Sequence, residues 1–239
     1  LSPSSAASDV YKRQALLREL CKLDFHWIRL HYLYPDEITE ELINTIAEEK
    51  KIVPYLDIPI QHCNDGILKA MNRPYTRAKY EEMIAYARSV MPEMVLTSDV
   101  IIGFPGETEE DFEQLCEFVR AVRFERLGCF AYSQEEGTPA ALLPDQIDDE
   151  VKNHRAEIIM ESQMNIMDRL GEKQVGGDIT VLTEGFDRYA ECWFGRSAMD
   201  APDIDGKVFF SAETKPYYGE MVTVHVDEAI DGDLFGTRV

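Results

Sequence analysis

The sequence predicts an α/β protein: part of a parallel barrel, followed by a small five-stranded β-barrel. Three observations predict it. From Ala15 to Asp145, short apolar, β-branched runs alternate with stretches of helical periodicity. A long helical stretch then runs to Gly171, with Gly176 and Gly177 just beyond. After it the hydrophobic period shortens to two, and Gly, Asp and Pro punctuate the chain.

The elements follow in order. "ALLRELCKL" reads as a helix and "HWIRLHYLYP" as a strand ending at Pro35. "DEITEELINTIAEEKK" places Ile38, Leu42, Ile43 and Ile46 on one helical face. "VPYLDIPIQH" is a second strand, "DGILKAMN" a short helix and "TRAKYEEMIAYARSVM" a longer one. "VLTSDVIIGFPGETEEDF" is a strand, a tight turn and a helix start: Gly103, Pro105 and Gly106 break the strand. Thr108 followed by Asp111 resembles a capping box, and Phe112, Leu115, Val119 and Val122 then recur at helical spacing. "RLGCFAYS" is a fourth strand. Four strands are too few for a closed barrel. The last domain reads as "DITVLTEGF", "RYAECWFGRSAM", "KVFFSA", "EMVTVHVDEAI" and "FGTRV", with Val222, Val224 and Val226 pointing one way.

The expected boundaries are 15–145 for the α/β part, 146–172 for a connecting helix and 173–239 for the β-barrel. Residues 1–14, "LSPSSAASDVYKRQ", show no periodicity and resemble translated read-through of a sequencing adapter. They are expected to be a non-native tail, with the natural protein starting further upstream.

Composition narrows the function. The formal net charge of -21 disfavours the phosphate backbone of nucleic acid and favours a basic partner or a small molecule. No apolar run is long enough to span a membrane. Cys21, Cys63, Cys116, Cys129 and Cys192 are odd in number and scattered, as expected of reduced thiols in a cytoplasm. "DAPDIDG" fails the EF-hand pattern at Ala201 and Ala212, and reads as an acidic turn. His31, His62 and Asp57 fall near neighbouring strand ends and leave open a hydrolase or aldolase barrel with a His/Asp metal site.

"VPYLDIPIQH", "MNRPYTRAKY", "SDVIIGFPGETEEDF" and "FAYSQEEGTPAA", in that order, resemble the later strands of radical S-adenosylmethionine methylthiotransferases. The C-terminal domain resembles their TRAM barrel. "WIRLHYLYP", "DIPIQH" and "GRSAMDAPDIDG" resemble the RimO-type branch. That branch methylthiolates the β-carbon of an aspartate in protein twelve of the small ribosomal subunit. At Ser98-Asp99 the ribosomal-protein branch often has uncharged residues and the tRNA-modifying branch often has Asp, so that branch stays open as an alternative. A barrel that binds ribosomal protein without its own chemistry is a third reading. From Glu172 onward there are fourteen Asp and Glu against six Lys and Arg, which suits a basic protein better than tRNA.

The resemblance implies S-adenosylmethionine and two 4Fe-4S clusters, the first of which cleaves the cofactor to a 5'-deoxyadenosyl radical. The family holds that cluster with CxxxCxxC, and three further cysteines belong to a separate N-terminal domain. Neither set is in this sequence, so the chain alone is expected to be inactive. What it implies here is the cofactor's second wall. Ile101 would pack on adenine, with Gly103 admitting close approach of the backbone. Asp57, Gln61 and Asp99 would hydrogen-bond the ribose or methionine parts. Phe130 and Tyr132 would end the last strand beside the adenine, Tyr132 being the one expected to bind. Arg29 and Arg73 would pair with a substrate carboxylate.

Overall fold

The computed structural model describes residues 13–239. The tail expected over 1–14 lies, except for Arg13 and Gln14, outside the described residues. The chain divides into two compact units, Leu1–Met160 and Glu161–Val239.

The first unit is a parallel sheet of β1 (Tyr55–Asp57), β2 (Val95–Ile102) and β3 (Arg126–Ala131), in that order. Helices alternate with the strands: α1 over residues 13–21, α2 (Glu40–Glu48), α3 (Asp65–Ala70), α4 (Arg77–Val90) and α5 (Glu109–Val122). Their starts are set by side chains that occupy orphan amides. Thr39 accepts from Leu42, Asn64 from Gly66 and Ile67, and Thr76 from Lys79. Thr108 and Asp111 form the expected reciprocal capping box. Leu42, Ile43 and Ile46 of α2 are buried, as are Leu96, Val100 and Ile102 of β2 and Leu115, Phe118 and Val119 of α5.

The first expected strand, His26–Pro35, does not form as one. It is an extended segment with one isolated parallel bridge, Ile28 to Ile52, and it meets β1 where the Leu33 amide donates to the Asp57 carbonyl at 2.7 Å. The cause is local. Tyr32 takes a left-handed backbone, φ 56°, and its amide donates to the Asp57 carboxylate instead of a strand carbonyl. The second expected strand is likewise cut to Tyr55–Asp57, because Pro59 has no amide to offer a ladder. Ser98 replaces the missing contacts. Its hydroxyl donates to the Ile58 carbonyl at 2.8 Å and accepts from the Ile60 amide at 3.3 Å. Pairing resumes at Gln61, itself left-handed at φ 66°, bridged to Val100.

Helix α6 (Asp149–Gly171) carries the chain from one unit into the next. The second unit is a closed barrel of β4 (Asp178–Asp187), β5 (Cys192–Ser197), β6 (Val208–Ser211), β7 (Met221–Ile230) and β8 (Asp233–Arg238), ordered β4-β5-β6-β8-β7. Only β6 and β8 run parallel. Val181, Val208, Phe210, Val222, Val224, Val226 and Leu234 fill it, so the alternation read at Val222, Val224 and Val226 is the inward face. In the acidic turn, Asp200 accepts from the amide and hydroxyl of Ser197, and Asp205 from the amide of Ala201. No described helix is long and apolar enough to cross a membrane.

Candidate cofactor site at the strand ends

Partner residues in a parallel ladder project to the same side of the sheet. The register therefore gathers Asp57 with Thr97 and Arg126, Asp99 with Gly128, and Ile101 with Phe130 on one face. On β2, Thr97, Asp99 and Ile101 are half-buried, whereas Leu96, Ser98, Val100 and Ile102 are buried on the other face. The half-open face is the one a ligand can reach, and its C-terminal end is where parallel sheets bind ligands.

Gly128 has a definite purpose. A Cβ there would lie 2.3 Å from the Asp99 carboxylate, so the glycine makes the room that Asp99 occupies. Burial raises the Asp99 carboxyl above its ordinary range, and the neighbouring Asp57 adds to the rise. A raised pKa in the fold favours the protonated form. That contribution to stability is fully present below the unfolded value of about 4 and is lost as pH rises through the raised value. Asp99→Asn is therefore expected to unfold at a higher temperature than wild type at pH 7. The advantage should disappear near pH 4, read by thermal melts at both values. Equal melting temperatures at pH 7 would show that the carboxylate is adequately solvated.

The other expected residues are placed as follows. Asp57 accepts from the Tyr32 amide at 2.9 Å, and His31 Nδ1 lies 3.6 Å from the same oxygen. Gln61 is held through its backbone, donating to the Asp99 carbonyl and accepting from Ile101. Tyr132 continues the ladder by donating its amide to Ile102. Its ring meets Phe104 edge-on at 5.3 Å, and its phenolic oxygen is buried with no hydrogen-bond partner among the described residues. Phe130 is 58% exposed. Arg29 stacks on Tyr55, 4.2 Å from the ring centre, two residues before Asp57. Arg73 lies in the connection between α3 and α4, near Tyr75, whose hydroxyl donates to the Pro59 and Ile60 carbonyls just past β1. The Arg73 charge opposes the burial that pushes the Tyr75 hydroxyl up to about 12. The strand ends thus bring together Asp57, Gln61, Asp99, Ile101, Gly103 and Tyr132.

Beneath the turn after β2 lies a cluster the sequence did not announce. The buried Glu107 accepts from the Gly103 amide at 2.9 Å and from Arg155 at 2.7 Å, and lies 3.4 Å from His62 Nε2. Arg155 also donates to Glu109 at 2.8 Å. The room expected at Gly103 for a cofactor is filled from α6: a Cβ there would lie 2.1 Å from Lys152 Cγ. Lys152 Nζ donates to the Tyr132 carbonyl at 2.9 Å. His62 is thus enclosed with Glu107, while His31 faces Asp57. Among the described residues no group of three or more His, Cys, Asp or Glu is arranged to hold a metal ion, so the His/Asp metal reading finds no site.

Residues 6–119 match the model of the Radical SAM superfamily, and residues 175–239 match that of the TRAM domain. A curated relative from Caldanaerobacter subterraneus subsp. tengcongensis, named ribosomal protein uS12 methylthiotransferase RimO, is 47% identical over 232 residues. The alignment covers 95% of this chain and 52% of the relative. A relative of the same name from Lachnoclostridium phytofermentans is 46% identical over 233 residues, covering 96% and 53%. The chain belongs to the radical SAM superfamily and is of the RimO type. It spans about half the length of the curated relatives it matches. Among solved structures, coproporphyrinogen III oxidase (HemN) from Escherichia coli, a radical SAM enzyme, superposes with a TM-score of 0.51 at 20% identity. That likeness covers 69% of this chain and 37% of HemN, and speaks to the fold alone.

A radical SAM family implies S-adenosylmethionine and a 4Fe-4S cluster. The residues of this RimO-type chain fit the first and not the second. The buried, unpartnered Tyr132 hydroxyl and the half-buried Asp99 offer polar contacts beside the apolar Ile101. By contrast the cysteines are dispersed. Burial pushes the Cys63 and Cys129 thiols up to about 12, the reverse of what a thiolate ligand needs.

Proposed function

We propose that this chain is the cofactor-and-substrate half of a RimO-type methylthiotransferase, acting on an aspartate β-carbon of ribosomal protein uS12. One observation carries the reading: identity near 47% runs through both units to a relative named for that reaction. S-adenosylmethionine, when bound, supplies the radical chemistry. Ile101 offers an apolar wall for adenine, Asp99 and Gln61 offer acceptors and donors for its polar parts, and the Tyr132 hydroxyl is a donor in search of an acceptor. Asp57 is largely committed to the Tyr32 amide, which makes it a holder of the strand-end loop. Arg29 and Arg73 are the cations offered to a substrate carboxylate. Without cysteine ligands for the cluster, the chain alone does not cleave the cofactor.

The barrel is the docking half of the reading. Its acidic excess complements a basic ribosomal protein. The tRNA alternative draws on Asp99 and is the second arm of the test; its neighbour Ser98 spends its hydroxyl on Ile58 and Ile60. The test is capture of purified uS12 by the 239-residue chain at increasing salt. Binding at 50 mM that weakens about tenfold by 300 mM is expected of such complementarity. Undetectable binding at 50 mM, or tighter binding to tRNA than to uS12, sinks the proposal.

A further inference from the structure

We infer that the first turns of α6 belong to the cofactor site, with Lys152 and Arg155 as its positioning residues. The inference rests on the strand-end reading above and extends it to a helix outside the region matched by the radical SAM model.

The two side chains hold two different strand ends. Arg155 grips Glu107 at 2.7 Å, and the same carboxylate takes the Gly103 amide at 2.9 Å, so the turn after β2 is fixed through one buried acid. Lys152 lays its aliphatic stem against Gly103, where any Cβ would collide with it. Its ammonium then reaches the Tyr132 carbonyl beyond β3, with Asp149 at 2.6 Å and the Tyr132 ring 5.7 Å away. Lys152 and Arg155 are both buried, although they are long cations at spacing i, i+3 on a charged helix. Desolvating two cations is costly, and an apolar pair would pack the same space more cheaply. What the cations supply instead is direction. Lys152 bonds the residue just past β3 directly and Arg155 reaches the residue just past β2 through Glu107, and together they fix the separation of Gly103 and Tyr132. Ile101 and Tyr132, the residues that face the ligand, ride on those two ends.

The test uses the 239-residue chain and S-adenosylmethionine at millimolar concentration, followed by amide chemical shifts at Ile101, Gly103 and Tyr132. Lys152→Met keeps the stem over Gly103 and removes the ammonium. It is expected to melt within about 2 °C of wild type. It should speed hydrogen exchange at Tyr132 about tenfold and weaken cofactor binding about threefold. Arg155→Met leaves the buried Glu107 without its cation, so it should lose stability on the scale of a broken buried ion pair, and speed exchange at Gly103 beyond that global loss. Arg155→Lys restores charge but not the fork, and should recover only part of the protection. Wild-type binding with both methionine variants matching wild type in exchange and affinity overturns the inference while leaving the strand-end reading intact. No shift in the wild type at any of the three amides overturns the strand-end reading, and the positioning role falls with it.

Discussion

Replacing Glu107 by alanine is expected to cost the first unit about 3–5 kcal/mol, the range for breaking one side of a buried ion pair. Three groups depend on that carboxylate. Arg155, itself buried, loses its closest anion and keeps only Glu109, which is largely solvated. The Gly103 amide loses its acceptor, and His62 loses its only charged neighbour among the described ion pairs. An orphaned buried amide alone is worth about 1–3 kcal/mol. A second readout follows the loss of the charge. Burial, the Glu107 charge and Cys116 together push the Cys129 thiol up to about 12, so Glu107→Ala should lower it and make Cys129 more reactive toward iodoacetamide. Urea unfolding that shows less than about 1 kcal/mol of loss would mean that water reaches this cluster and screens it.

Glu107 also marks the limit of what the sequence discloses. The turn "GFPGET" is legible because its glycines, proline and capping box are local. The alternation of strand and helix, the five barrel strands and the inward valines were legible for the same reason: period and turn chemistry lie within a few residues of each other. The expected first strand failed because its competitor is distant. The Asp57 carboxylate, 25 positions on, captures the Tyr32 amide. Nothing in the sequence near Lys152 and Arg155 says that Glu107 and Tyr132 will be brought to them. Gly128 was invisible for a related reason: a glycine inside a strand pattern signals close approach, but only the register names Asp99 as the group approaching.

The same logic sets the largest expected effect in the second unit, Gly195→Ala. A Cβ at Gly195 would sit 2.1 Å from the Leu182 carbonyl oxygen and 2.9 Å from Val181 Cγ1, contacts with backbone and core that no rotamer relieves. Gly195 pairs with Thr183, where the β4–β5 register shifts between Thr183 and Gly185. Gly236 repeats the arrangement across the barrel. It pairs with Val226 where β7 and β8 shift register before Glu228, and its Cβ would lie 2.1 Å from the His225 carbonyl oxygen. A five-stranded sheet closes only if its strands bend sharply, and a bulge opposite a glycine is how a strand bends without collision. Both sites read Phe-Gly in sequence, with Phe194 and Phe235 flanking Phe209 on the outer face. Gly195→Ala should therefore strain the closure itself, costing about 3 kcal/mol, the upper end for overpacking. Gly219→Ala serves as the contrast. That glycine has open space around its missing Cβ but a left-handed backbone, φ 85°, so its cost should be strain of about 1–2 kcal/mol without loss of barrel closure. Hydrogen exchange separates the two. Gly195→Ala should expose the β4–β5 amides well before the rest of the barrel opens, and Gly219→Ala should leave them protected. If both variants lose stability equally and open uniformly, the close approaches at the bulges are not what closes the barrel.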